Sequence, residues 1–162
     1  MTRSILLIYL ALFSLTLVAG PAPVFEYSVK KPLQQVYSPL YKALEDNGFY
    51  VVFEANIGRN MARFSEKWGE NYNRNQLDGI RSMVFCSVWY ANAVSNVDPS
   101  MLALCPLRLS LVEKSGTTRV LFARPTVMAA ESPALNILSQ IEDEVIGIIR
   151  KSLSQPSITL PR

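Results

Sequence analysis

Apolar and polar residues alternate from Val24 to Val29 (Val-Phe-Glu-Tyr-Ser-Val), the period of a half-buried strand, and Lys30-Lys31-Pro32 ends it. Leu33, Val36, Tyr37, Leu40 and Leu44 then recur at helical spacing. Ser38-Pro39 interrupts them as a cap followed by a proline, so the regular helix is expected to begin there and to stop at Asn47-Gly48. Phe49 to Ala55, aromatic and β-branched, predicts a second strand. Met61, Phe64 and Trp68 predict a short helix from about Arg59 to Trp68 with all three on its inner face, and the polar stretch from Gly69 to Gly79 predicts a loop.

Arg81 to Ser87 predicts the third strand and Val88 to Val97 a helix, which Asp98-Pro99 ends because the residue before a proline is pushed out of the helical region. Leu107, Leu109 and Leu111 alternate with polar or smaller neighbours, Lys114-Ser115-Gly116-Thr117 turns, and Arg119 to Ala123 returns, a hairpin pattern. After Ser132-Pro133, the stripe Leu135, Leu138, Ile141, Val145, Ile148 and Ile149 predicts a long final helix with Arg150 and Lys151 near its carboxyl end. The order β-α-β-α-β-α-β-β-α implies an α+β fold: a two-layer sandwich with helices packed on one face of a mostly antiparallel sheet.

The chain begins differently. Arg3 precedes an apolar run from Ile5 to Ala19, and small residues follow at Ala19, Gly20 and Ala22. This is the pattern of a secretory signal, and the run is shorter than the ~20 residues of a spanning helix. Pro21 and Pro23 sit just after the obvious cleavage points, so an uncleaved anchor stays open as the alternative. The expected division is residues 1–22 as signal peptide, 23–154 as one α+β domain and 155–162 as a loose tail. The expected location is the periplasm or, with the first segment retained, the inner membrane, which is the one case in which a membrane is a partner.

Of the 162 residues, 49% are hydrophobic and 18% charged, with a formal net charge of +3. The surplus is too small and too scattered for a nucleic-acid-binding face. There is no histidine, which excludes histidine triads, histidine zinc sites and c-type haem attachment, and the seven glycines form no phosphate-binding loop. No cofactor is expected. Glu54, Glu66, Glu70 and Asp78 are candidate acid–base groups, but their spacing pairs none of them, and solvated charge is the simpler reading. Consecutive Glu142, Asp143 and Glu144 are expected on the wet side of the last helix. Asn71, Asn73, Asn75 and Asp78 resemble a calcium loop faintly, with Gln76 where its glycine and Ser82 where its closing glutamate belong.

Cys86 and Cys105 are the only cysteines. An even number in an exported chain suggests a disulfide. A helical crossover between them would instead put them at opposite ends of the sheet, beyond bridging distance. Three readings stay open: a bridge, buried thiols, or a reactive or soft-metal pair. For the last, Cys86 lies just before a helix start, and Met83 or Met101 could add a thioether. Trp89 and Tyr90 are adjacent on a helix and about 100° apart, so both cannot face the core, and an exposed aromatic marks a contact surface.

Phe85-Cys86-Ser87-Val88-Trp89-Tyr90-Ala91, Asp98-Pro99, Leu104-Cys105-Pro106-Leu107, Val112-Glu113 with Gly116 and Val120, and Pro125 together resemble the family described as domain of unknown function 302. So does Asn47-Gly48-Phe49-Tyr50-Val51 upstream. Family members usually carry Asn-Pro after the first cysteine, where this chain has Ser87-Val88, and Pro-Cys at the later strand, where it has Cys105-Pro106-Leu107. Cys86 carries over as a match, and Cys105 stays open. The resemblance implies a compact α+β domain, often a homodimer, with no established activity, substrate or cofactor.

The sequence thus leads to a non-enzymatic binding or assembly domain with a protein partner or a second copy of itself, acting through the surface around Cys86, Trp89, Tyr90 and Asn92. The alternative is a thiol-based redox or soft-metal (copper) protein using Cys86, with or without Cys105. No nucleophile–base pair speaks for a hydrolase or transferase.

Overall fold

The structure, a computed structural model, describes residues 22–154. The expected signal peptide and the C-terminal tail lie almost wholly outside them. Five strands, β1 (Val24–Val29), β2 (Tyr50–Ala55), β3 (Gly79–Cys86), β4 (Leu107–Lys114) and β5 (Thr117–Ala123), form one sheet in the order β1-β5-β4-β3-β2. Every neighbouring pair is antiparallel. The helices α1 (Leu33–Asp46), α4 (Val88–Val97) and α6 (Leu135–Ser154) supply the second layer, and α1 packs against α6. The short helices α2 (Ile57–Ala62), α3 (Ser65–Trp68) and α5 (Pro125–Met128) fill connections. This is the α+β sandwich that the hydropathy pattern implies.

Strand alternation decides the core. Met83, Phe85, Leu109, Leu111, Val120 and Phe122 are fully buried on the helix-covered face, opposite Val36, Leu40, Leu44, Val145 and Ile149. Burying such side chains yields about 1.5–3 kcal/mol each. That drive explains the first departure from expectation: α1 does not start at Pro39 but runs through it from Leu33. The stripe Leu33, Val36, Tyr37, Leu40 and Leu44 is buried along its whole length, and its packing outweighs the hydrogen bond that Pro39 cannot donate. The first turn is secured from the sheet, where a Glu113 carboxylate oxygen accepts the Leu33 N–H at 3.0 Å. Gly48, at φ +76°, then ends the helix in a conformation that glycine adopts without strain.

The second departure lies between β2 and β3. The expected single helix is split into α2 and α3, and its aromatics do not face inward. Phe64 and Trp68 stack on each other with ring centroids 5.4 Å apart and remain exposed. The third departure is Glu142, which is buried although its neighbours Asp143 and Glu144 are exposed. It accepts from the Arg124 guanidinium, from the Thr126 N–H at 3.3 Å and from the Thr126 hydroxyl at 2.5 Å. Among the described residues no helix is long and apolar enough to cross a membrane.

Candidate functional site

Cys86 is the last residue of β3, and Cys105 lies between a 3-10 turn over Pro99–Leu104 and the start of β4. Phe85 pairs with Leu107, so the end of β3 and the start of β4 share one end of the sheet. The expectation that a crossover separates the cysteines is therefore wrong. A crossover serves parallel strands; here α4 and the 3-10 turn form an excursion that leaves and returns at the same end. The two Sγ atoms are 3.0 Å apart, and both residues are half-buried free thiols. Burial first, and then the hydrogen bond and charge of Cys86, push the Cys105 thiol up to about 11. Cys105 therefore holds its proton at neutral pH and is placed to share it with the Cys86 sulfur.

The pair opens into a small apolar pocket between α4, the 3-10 turn and α6, lined by Phe49, Tyr90, Val94, Met101, Leu138 and Ile141. Its free space is about 30 Å³, room for a water molecule or two but not for an organic cofactor. Met101 reaches this pocket; Met83, the other thioether considered, is sealed in the core at 0% exposure. Among the described residues no three cysteine or carboxylate side chains gather as a metal site.

The aromatic neighbours divide as the helical geometry demands. Tyr90 is half-buried, its ring stacked on Phe49 with centroids 6.0 Å apart. Its hydroxyl donates to Glu144 at 2.6 Å. Burial, followed by that hydrogen bond and the Glu144 charge, raises the phenol to about 12, so it is a donor at physiological pH. Trp89 turns the other way and is 73% exposed, as is Val88 beside it. Asn92 is exposed on the same helix, and its backbone oxygen accepts the Ser95 hydroxyl at 2.8 Å. Cys86, Cys105 and Tyr90 are thus brought together around one pocket, while Trp89 and Asn92 lie outside its lining, exposed on α4.

The acidic candidates do not converge. Glu54 accepts from the Tyr37 hydroxyl and pairs with Arg81 at 3.3 Å. Burial and Glu54 raise the Tyr37 pKa, while Arg81, 3.6 Å from the ring centroid, opposes the shift. Glu66 and Glu70 are exposed on and beside α3. Asp78 accepts the Ser115 N–H at 2.6 Å, bracing the β4–β5 turn, and Asn73 folds back on Leu77. These bonds account for Asn73 and Asp78 of the calcium-like stretch structurally.

Two polar anchors were missed from sequence. Glu142 had a signal: it lies four residues after Leu138 and three before Val145, on the buried stripe itself. Asp98 joins the end of α4 to Ser132 at 2.6 Å and also accepts from the Ser100 hydroxyl at 2.6 Å. These bonds hold its carboxyl below the usual range. Nothing in local spacing links residues 98 and 132.

Fold and site together define a two-layer α+β domain with a dithiol at one end of its sheet. The sequence model described as "Domain of unknown function DUF302" matches residues 25–152, and the chain belongs to that family. The crystal structure of an uncharacterized conserved DUF302 protein from Bacillus stearothermophilus is similar at a TM-score of 0.69 and 16% sequence identity. The match covers 82% of this chain and 99% of that one and carries the fold alone. A search of curated proteins returns no match.

Proposed function

We propose that this chain is an exported thiol protein whose working centre is the Cys86–Cys105 pair. The observation that supports the reading is the 3.0 Å contact between two half-buried sulfurs from separate segments, at the mouth of an apolar pocket. It favours the thiol alternative over the purely non-enzymatic assembly domain. The chemistry is exchange with a partner disulfide. Cys86 gives up its proton and attacks one partner sulfur, a mixed disulfide forms, and the other partner sulfur leaves as a thiolate that takes up a proton. Cys105 gives up its proton and attacks the Cys86 sulfur; the Cys86–Cys105 bond forms and the second partner thiolate leaves. Two electrons pass to the partner, and the protons from the two cysteines end on its thiols. The step runs equally in reverse.

A second reading, a binding domain in which the same pair is a permanent bridge, draws support from Trp89, exposed three residues from Cys86. The two differ in reduction potential. The chain is equilibrated in glutathione buffers and its thiols are alkylated and weighed. Partial oxidation within the range of redox enzymes supports exchange; a bond that resists all but the strongest reductant supports the bridge and overturns the proposal.

A further inference from the structure

The end of the sheet that carries the cysteines also exposes several large apolar side chains. β1 and β2 begin there, β3 ends there, and Val24 pairs with Ala123 just as Tyr50 pairs with Cys86. Val88 and Trp89 are each 73% exposed at this end, Met128 71%, Tyr50 53% and Val24 47%. Arg108 is exposed in the groove that Val24 and Met128 help to line. Tyrosine and tryptophan among aliphatic side chains, with an arginine beside them, suit the boundary between lipid headgroups and acyl chains.

The chain itself says which way this end points. The apolar run Ile5 to Ala19 joins β1 through Gly20, Pro21, Ala22 and Pro23 alone. Five residue steps span at most about 18 Å. Pro21 and Pro23, just after the obvious cleavage points, leave the uncleaved form open, and in that form the run stays with the chain. Held in a bilayer, it brings Val24, and with it the whole apolar end, to the membrane surface.

We propose that the Cys86 end of the domain rests on a lipid bilayer, with Trp89, Val88, Tyr50 and Met128 at the headgroup boundary. The proposal does not depend on the thiol chemistry. Its test uses the two tryptophans, which lie at opposite ends of the sheet: Trp89 just after β3 ends, Trp68 in the connection from the end of β2 to the start of β3. The full chain, as Trp68→Phe and separately as Trp89→Phe, is reconstituted in phosphatidylethanolamine–phosphatidylglycerol vesicles with brominated acyl chains. The expected result is loss of Trp89 emission by bromine quenching, with Trp68 emission unchanged. Quenching of neither, of Trp68 instead, or of both alike overturns the proposal. So does a Trp89 emission that already shifts with protein concentration before lipid is added, because a second copy of the chain then covers the surface. Cys86→Ser in the Trp68→Phe chain should leave the quenching intact, which separates this proposal from the fate of the thiol reading.

Discussion

Replacing Glu142 with alanine tests whether a buried carboxylate joins the last helix to the sheet. The side chain of Glu142 is 7% exposed and that of Arg124 22%. The carboxylate accepts from Arg124 and twice from Thr126, while the Arg124 Nε has no partner among the described residues. Breaking a buried ion pair by removing one partner costs about 3–5 kcal/mol. Arg124 is partly wet and can recover some hydration, so the lower end, about 3 kcal/mol, is expected. For a domain of this size that is a fall in Tm of about 10 °C. Glu142→Gln keeps an acceptor but not the charge and should lose roughly half as much. Urea denaturation of both variants, with Arg124→Met completing a double-mutant cycle, reads the coupling directly. An alanine variant within about 0.5 kcal/mol of the parent would refute the reasoning. Equal losses for alanine and glutamine would show that the charge carries the whole effect and the retained acceptor contributes nothing.

Phe49→Ala should cost about 3–5 kcal/mol in chemical denaturation, since Phe49 is 1% exposed and packs edge-on against Phe85 and face-on against Tyr90. Oxidising Cys86 and Cys105 closes a loop of 20 residues and should stabilise the domain by roughly 3 kcal/mol, seen as a denaturation midpoint that drops on adding reductant. In the reduced protein, the Cys105 thiol is raised from an ordinary value of 9.0 to about 11, so its contribution to stability is complete below pH 9 and is lost as pH rises toward 11. Denaturation at stepped alkaline pH, with Cys105→Ser as control, should show a steeper fall in the parent between pH 9 and 10, before the raised phenols of Tyr37 and Tyr90 add their own losses in both proteins. Glu113→Ala should cost about 1 kcal/mol by leaving the first N–H of α1 without its acceptor, measurable by thermal denaturation.

The element order, and with it the α+β sandwich, was legible because each element declares itself over a few residues. Leu107, Leu109 and Leu111 mark a strand, and the stripe from Leu138 to Ile149 marks a helix, through periods that follow from backbone geometry alone. The absence of histidine and of phosphate loops also bounded the chemistry at the level of composition. What the sequence left open depends on partners distant in the chain. Pro39 reads as a helix start until the sheet beneath α1 and Glu113 at its first turn are in place. Glu142 reads as wet until Arg124 and Thr126 meet it. Cys86 and Cys105, 19 residues apart, read as separated until the antiparallel pairing of β3 and β4 brings their sulfurs into contact. Local periodicity specifies which face of an element is apolar. Only the assembled sheet decides which faces, and which thiols, meet.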